Sequence, residues 1–255
     1  INKGAVQLTE RDKERLEALH DGEITYHDTE LGRFLVKMHE LGLDENTIVV
    51  VVSDHGEEFG EHGGTAHGRT LFREVERIPL AIRAPGFAPR RVGTAVSLAD
   101  VMPTLLEIVR IDPGDAPLAG RSLVASMRGE GPAKSPGALV ENRFHAPARI
   151  DMAAWVTDRW KLIVQTTTSP AGALLHESHQ LFDRRLDPAE QRDRSREHPR
   201  IVEKLARKLA DARAAARANR RADRTQPLAP EEREQLRALG YLDADSAELP
   251  GAATD

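Results

Sequence analysis

One short apolar run constrains the fold of this sequence more than any other segment. Ile48 to Val52 is an uninterrupted stretch that contains four valines and no polar residue at alternating positions. Such a pattern is typical of a strand that is covered on both faces, and strands of this kind occur mainly in parallel sheets. We therefore expect a central, parallel sheet that is flanked by helices.

Helical patterns lie on both sides of this strand. The segment from Thr9 to Leu41 repeats apolar residues at i, i+3, i+4 and i+7, and Gly42 is placed to end the helix. The residues that carry this repeat most clearly are Leu31, Phe34, Leu35 and Met38. A second apolar run covers Ile78 to Ile82, and another helical pattern covers Leu98 to Ile108. This order of elements predicts an α/β fold.

The sequence changes in character near residue 125, where we place a domain boundary. Ala125 to Pro136 is rich in Gly, Pro, Ser and Lys, which is typical of a linker. Short strand patterns then predict a small antiparallel sheet: Ala138 to Glu141, Ala154 to Thr157 and Leu162 to Gln165. A charged helix with one apolar stripe is predicted from Ile201 to Ala222, and a short helix from Pro230 to Leu239. We expect three parts: residues 1–125, an α/β part; residues 126–225, a smaller α+β subdomain; and residues 226–255, a short helix and a disordered tail.

The composition excludes several classes of protein. A net charge of −5 argues against binding to a nucleic-acid backbone. The absence of cysteine excludes disulfides, thiolate metal sites and a cysteine nucleophile within these residues. The longest apolar run is far shorter than the roughly 20 residues that a membrane span needs. The first residue is Ile1 rather than Met, so we interpret the sequence as part of a longer protein whose compartment stays open.

Polar residues that could carry chemistry follow the strand directly: Ser53-Asp54-His55-Gly56-Glu57-Glu58. Open α/β sheets place their ligand sites at the carboxyl ends of their strands. Asp54 could supply an oxygen and His55 a nitrogen to one cation if the backbone turns between them, and Gly56 allows such a turn. The alternative is a turn that ends the strand with exposed polar side chains. A charged, glycine-rich loop continues to Glu74. Ordering such a loop costs conformational entropy, so its presence between two apolar strands favours a functional site over a simple connection.

This segment and its loop resemble the sulfatase family of the alkaline phosphatase-like superfamily. In that family, Ser-Asp-His-Gly-Glu or Ser-Asp-Asn-Gly supplies two metal ligands, and the following loop carries a cationic contact to the ester group. Further segments resemble the family in the same order along the chain: Asp21 to Ile24, Asp28 to Gly32, Ser97 to Leu106, Leu118 to Leu123, Trp160 to Ile163, Gln180 to Glu190 and Gln235 to Leu242. The resemblance implies an alkaline phosphatase-like α/β sandwich, with residues 1–125 as the C-terminal part of its catalytic domain.

The resemblance also implies a set of site residues. Asp54 and His55 would bind one divalent cation, preferentially Ca²⁺, with Mn²⁺, Mg²⁺ or Zn²⁺ as alternatives. His67 lies where related enzymes place a Lys or His, and its imidazole could stabilise negative charge or protonate a departing alkoxide. Arg69 is a second cationic candidate, for binding the substrate, and His62 is a weaker one. Each of these three residues could instead simply pack in the loop.

The nucleophile is the part of the site that this sequence lacks. A sulfatase uses a formylglycine that is made from Cys or Ser in a Cys/Ser-x-Pro-x-Arg motif, and no such motif occurs here. Ser53 and Thr104 lack the flanking residues, so we interpret both as structural.

The resemblance therefore implies the C-terminal portion of a sulfatase, which is inactive alone and which in the complete protein acts on sulfated or phosphorylated small molecules or glycans. Two alternatives stay open. One is a phosphodiesterase or phosphonate monoester hydrolase of the same superfamily, because His67 replaces the usual lysine. The other is a non-catalytic binding module or pseudoenzyme.

Overall fold

A computed structural model describes residues 8–115, 117–131, 135–145 and 148–218, together with residues 229, 231–232 and 234–235. The chain divides into two compact units, Ile1–Asn219 and Arg220–Asp255. The elements below belong to the first unit. Most of the helix predicted from Pro230 to Leu239, and all of the tail after Leu242, lie outside the described residues. None of the described helices is long and apolar enough to cross a lipid bilayer.

The first helix, α1 (Glu10–Glu40), confirms the helical pattern and both of its ends. The Thr9 hydroxyl accepts a hydrogen bond from the Asp12 backbone N–H, and the Asp12 carboxylate accepts one from the Thr9 N–H. This reciprocal cap satisfies two backbone groups that a helix start otherwise leaves unpaired. At the other end, Gly42 has a φ of 66°, which glycine adopts at little cost.

Two short strands form the first sheet, β1 (Val49–Val52) and β4 (Leu80–Arg83). They pair antiparallel, with Val52 opposite Leu80, so the predicted parallel arrangement is wrong for this pair. The reason is that the connecting loop returns the chain beside the end of β1 instead of crossing the sheet. The prediction that both faces are covered also fails within the described residues, because Val51 and Val52 are 37% and 41% exposed.

The connecting loop contains three small elements: β2 (Glu58–Phe59), β3 (Thr65–Ala66) and α2 (Arg73–Glu76). β2 and β3 form a two-stranded antiparallel pair. After β4, α3 (Val101–Ile108) follows as the apolar pattern predicts. A five-residue helix, α4 (Val124–Arg128), occupies the start of the predicted linker, because Leu123 and Val124 are buried and the turn ends only at Gly129. The linker prediction is therefore wrong for these residues.

The second sheet has four antiparallel strands, in the order β5 (Ala138–His145), β6 (Arg149–Val156), β7 (Trp160–Thr168) and β8 (Leu174–Asp183). It confirms the predicted small antiparallel sheet, and its strands are longer than the apolar patterns indicate. The fourth strand was not predicted, because its first four residues are exposed and polar residues follow Leu174 and Leu175.

The four-stranded sheet is covered on both faces. On one face, α5 (Pro199–Ala218) packs its predicted apolar stripe, with Leu205 beside Leu162 and Leu181. On the other face, Leu71 from the β1–β4 loop joins a buried cluster that includes Ile163 and Phe182. The loop that carries the predicted site residues is therefore packed on the second sheet.

Candidate active site

The chain leaves strand geometry at Ser53, directly after β1. The Ser53 hydroxyl donates a hydrogen bond to the His55 carbonyl oxygen at 2.6 Å, and the His55 backbone N–H donates one to Asp54 Oδ1 at 3.0 Å. This turn brings Asp54 Oδ2 to 3.7 Å from His55 Nε2. Both side chains line one cleft with a volume of about 770 Å³.

Gly56 fixes this turn against helix α2. Its backbone N–H donates a hydrogen bond to the Val75 carbonyl oxygen at 2.8 Å. A Cβ atom at position 56 would lie only 2.0 Å from the Glu74 carbonyl oxygen, which is backbone and cannot easily move. The close approach of the two backbones therefore requires glycine, for reasons of space rather than of φ.

Hydrogen bonds to Asp54 and His55 favour the forms of these side chains that can bind a cation. His55 Nδ1 lies 3.0 Å from the Gly56 carbonyl oxygen, which can only accept, so Nδ1 carries the proton and Nε2 keeps a free lone pair in the neutral ring. Hydrogen bonds from the Asp54 and His55 backbone amides lower the pKa of the Asp54 carboxyl, which favours its ionised form.

The spacing of these two donors also fits one divalent ion. Ligand atoms that each lie about 2.0–2.6 Å from a shared cation are separated by distances like the observed 3.7 Å. The pair supplies one oxygen and one nitrogen, so further ligands must come from other residues.

His67 lies beside this pair and contacts Glu57. His67 Nδ1 is 2.6 Å from Glu57 Oε1, and the His67 ring stacks on the His55 ring with centroids 3.8 Å apart. Donor atoms of His55, Glu57 and His67 all lie within 4.8 Å of one another, so these three residues form a second candidate metal cluster. Glu57 had no predicted role, although an acidic residue between two predicted site histidines, His55 and His67, was a usable signal in the sequence.

The ring geometry argues against one ion between the two histidines. Imidazole lone pairs lie in the ring plane, and the two planes are inclined by only 27°, so stacked rings direct their lone pairs side by side. His67 Nδ1 is moreover engaged by Glu57. The arrangement suits His67 better as a hydrogen-bonding group next to the Asp54–His55 pair than as a further ligand.

Glu58 organises the loop from within. Its side chain is buried and accepts hydrogen bonds from the His62 and Gly64 backbone N–H groups and from the Thr70 hydroxyl, at 3.0–3.2 Å. A buried carboxylate is stable only when such donors satisfy it. The ordering of this glycine-rich loop therefore has a local cause.

The other predicted residues lie in different surroundings. The His62 and Phe72 rings are stacked with centroids 3.7 Å apart, and His62 Nε2 lies 3.1 Å from the Glu190 carbonyl oxygen. His62 therefore has a packing role and is not part of the cleft lining. Arg69 is exposed and is not part of the cleft lining. The arginines that do line the cleft are Arg73, Arg77 and Arg184.

Thr104 confirms the structural interpretation. Its side chain is 0% exposed, and its hydroxyl donates to the Asp100 carbonyl oxygen at 2.5 Å. The Thr104 hydroxyl oxygen also accepts a hydrogen bond from the Leu123 backbone N–H at 2.9 Å. The Leu123 contact joins helix α3 to the segment before α4, and the buried hydroxyl is not presented to solvent.

A buried charge network connects the loop to the second sheet. Lys161 of β7 is 0% exposed, and its Nζ lies 2.8 Å from Glu190 and 3.4 Å from Glu76. Glu190 also accepts a hydrogen bond from the Arg73 backbone N–H at 3.0 Å, at the start of α2. Burial raises the pKa of the Glu190 carboxyl, which Lys161 opposes.

Comparison with known proteins gives consistent results. The Sulfatase family model matches residues 4–111. The uncharacterized sulfatase YidJ of Escherichia coli is 35% identical over 153 residues, which are 57% of this chain and 27% of that protein. Two solved structures are each 26% identical to this chain. One is BT4656 in complex with its substrate D-glucosamine-2-N,6-O-disulfate, with a TM-score of 0.59 over 75% of this chain and 39% of that one. The other is the phosphonate monoester hydrolase SpPMH of Silicibacter pomeroyi, with a TM-score of 0.68 over 82% and 43%.

Each of these relatives is longer than this chain. The chain spans between about a quarter and two fifths of the length of these relatives. The structural matches establish the alkaline phosphatase-like α/β fold for the greater part of the chain.

Proposed function

Since the chain belongs to the sulfatase family, we propose that it forms the C-terminal part of a metal-dependent hydrolase of sulfate esters. The observation that carries this proposal is the Asp54–His55 donor pair, which opens into one cleft together with His67. The nucleophile and the remaining metal ligands come from residues outside this sequence, and this chain alone does not turn over substrate.

Asp54 and His55 hold the cation in this proposal. Ca²⁺ is preferred in the family, and the nitrogen of His55 also suits Mn²⁺ or Zn²⁺, whereas Mg²⁺ favours oxygen ligands. When bound, a divalent ion neutralises charge on the ester oxygens during bond cleavage. The ionised Asp54 carboxylate and the Nε2 lone pair of His55 are the contributions of this chain to that site.

His67 assists the leaving group. Its Nδ1 is held by Glu57, so its Nε2 is the nitrogen that would donate a proton or a charged hydrogen bond to the departing oxygen. Arg69 adds a cationic side chain in the same loop that would attract the anionic ester, as proposed from the sequence. The substrate class that we propose is a sulfated small molecule or glycan, in keeping with the glucosamine disulfate bound by BT4656.

A second candidate function is hydrolysis of phosphonate or phosphate esters. The observation that favours it is the likeness to SpPMH, which has a higher TM-score than BT4656. The Asp-His donor pair suits either ester, because both present anionic oxygens to the cation.

The test compares esters in the complete protein that contains this chain. We expect His67→Ala to lower kcat/KM for sulfate esters by about 10²- to 10⁴-fold, with the melting temperature nearly unchanged. If His67 is a general acid, an alkyl sulfate loses more than an aryl sulfate with a good leaving group. The matched control is His62→Ala, which lies in the same loop but packs on Phe72.

Two outcomes would contradict parts of the proposal. Unchanged rates on both esters would remove His67 from the reaction. A higher kcat/KM for phosphonate monoesters than for any sulfate ester would favour the second candidate function.

A further inference from the structure

We infer that Glu57 is a positioning residue that holds the His67 imidazole in one orientation and one tautomer for its contact with the leaving group. This inference rests on the proposed role of His67 and extends it to a residue that contacts neither the ester nor the cation. The structural basis is the 2.6 Å contact between Glu57 Oε1 and His67 Nδ1.

The contact fixes the tautomer of the ring. An ionised carboxylate can only accept hydrogen bonds, so the proton of the neutral imidazole must lie on Nδ1. When the ring is an imidazolium, Nε2 is then the nitrogen that gives its proton to the departing oxygen, and the product of that step is the neutral Nδ1–H tautomer that Glu57 holds. Without Glu57 the ring could carry its proton on either nitrogen, and part of the population would present Nδ1 and Nε2 in the wrong states.

The contact also fixes the orientation of the ring. An imidazole is attached through a torsion with broad, roughly two-fold minima, so it needs neighbours to restrict it. His67 has two: Glu57 at one ring edge, and the His55 ring stacked against its face at 3.8 Å. Because His67 is 42% exposed, solvent does little to restrict the ring, and removal of Glu57 would leave only the stacking contact.

Glu57 is itself attached to a fixed part of the backbone. The preceding residue, Gly56, is hydrogen-bonded to Val75 of α2, and the following residue, Glu58, is buried among loop donors. The Glu57 side chain is 23% exposed, so it is partly shielded from competing water. A carboxylate on such a support can hold a partner in place, as carboxylates do for histidines in metal sites.

The alternative role for Glu57 is that of a metal ligand, since it belongs to the cluster with His55 and His67. The two roles predict different effects on metal affinity. A ligand carboxylate changed to an amide weakens binding of Mn²⁺ or Ca²⁺, whereas a positioning residue leaves it unchanged.

The deciding experiment is a double-mutant cycle in the complete protein, with the variants Glu57→Gln, His67→Ala and the combination of both. With an alkyl sulfate as substrate, we expect Glu57→Gln to lower kcat by about 10- to 100-fold with KM unchanged. In the His67→Ala background the same change should have no further effect, because Glu57 acts only through His67. Isothermal titration with Mn²⁺ should give the same affinity for the wild type and Glu57→Gln.

A second readout needs no activity. In the 255-residue chain with ¹⁵N-labelled histidine, the His67 nitrogen shifts should indicate the Nδ1–H tautomer, and Glu57→Ala should shift them towards a mixture of tautomers. Glu57→Asp keeps the charge and should retain more of the Nδ1–H form than Glu57→Ala. Shifts that are identical in all three proteins would overturn the inference.

The outcomes also separate this inference from the proposed function. If His67→Ala impairs hydrolysis but Glu57→Gln costs the same factor with and without His67, the proposed function stands and the positioning role is wrong. Weaker Mn²⁺ binding in Glu57→Gln would make Glu57 a ligand and likewise overturn the inference. If His67→Ala leaves hydrolysis unchanged, the proposed role of His67 fails first and the positioning role fails with it.

Discussion

The two sheets of this chain differ in how completely they are packed. The four-stranded sheet β5–β8 has residues with 0% exposure, such as Ala153 and Leu181, and clusters of side chains cover both of its faces. The β1–β4 sheet has only two strands among the described residues, and Val51 and Val52 at the end of β1 are over one third exposed. The residues of the candidate site follow directly after the less complete sheet.

This difference shows how an incompletely packed region can still present an ordered site. The loop after β1 is tied to the well-packed sheet through Lys161 and Glu190, and through Leu71 in the buried cluster. Order in the loop therefore comes more from contacts with the four-stranded sheet than from the two-stranded sheet that precedes it.

The largest expected effect concerns activity of the 255-residue chain. We expect no multiple-turnover hydrolysis of aryl sulfates or phosphodiesters, because two donors leave most positions around a hard cation to water. The measurement is product release over many hours at high protein concentration. Robust turnover that is lost in Asp54→Ala would show that the chain carries a complete site, and that the contrast between the two sheets has no functional meaning.

The next largest effect concerns the link between the two regions. Lys161→Met removes the buried ammonium, leaves Glu190 without its counter-charge and leaves Glu76 with only Arg184 at 4.0 Å, so the free energy of unfolding should fall by about 3–5 kcal/mol. Urea denaturation at neutral pH measures this change. Arg207→Ala removes the exposed pair with Glu203 and is the control, for which little change is expected. Equal effects of the two variants would mean that the buried network does not stabilise the loop.

A smaller effect tests the well-packed sheet alone. Burial opposes ionisation of Asp183, but hydrogen bonds from Arg159 and from the Arg185 and Leu186 amides outweigh it and lower the pKa of this carboxyl. Asp183→Asn should lower the free energy of unfolding by about 1.5–3 kcal/mol at neutral pH.

The pH dependence of this effect follows from the direction of the shift. A lowered folded-state pKa gives stability that is fully present above the ordinary value of 3.8 and is lost as pH falls through the folded-state value. The difference between the wild type and Asp183→Asn should therefore stay constant from pH 7 to about pH 5 and shrink below about pH 4. A difference that grows on acidification would contradict the assignment.

The smallest expected change in stability concerns the turn at the site. Gly56→Ala places a methyl group against the Glu74 carbonyl oxygen and should cost about 1–3 kcal/mol, together with faster proteolysis within residues 53–79. Gly22→Ala is the matched control. No atom lies within 4 Å of a Cβ there, and alanine favours helix α1, so stability should rise by about 0.5–1 kcal/mol. A Gly56→Ala protein as stable as the wild type would show that the close approach to α2 is relaxed easily.

Local signals were sufficient to predict several elements from the sequence. Helix α1 has a capping residue at Thr9 and a glycine after its end, so both bounds could be predicted to within one residue. The antiparallel sheet was predictable because β6 and β7 are joined by a short polar turn. The position of Asp54 and His55 was predictable because both directly follow an apolar strand.

The remaining features depend on contacts between distant residues. The antiparallel pairing of β1 with β4 is decided by the path of the loop, which the local sequence does not indicate. The first four residues of strand β8 are exposed, and its partner β7 determines its conformation. The contact between Glu57 and His67 depends on the path of the loop, because His67 is ten residues further along the chain.

The open edges of the first sheet also affect how this chain can be handled in the laboratory. In the described residues β1 and β4 pair only with each other, so each presents one row of unpaired backbone groups, and β1 consists of valine alone. Edges of this kind are templates for pairing with another molecule. We expect the isolated chain to self-associate as its concentration rises, and light scattering would detect this. Val51→Lys should suppress the association, since a charge on the strand opposes stacking.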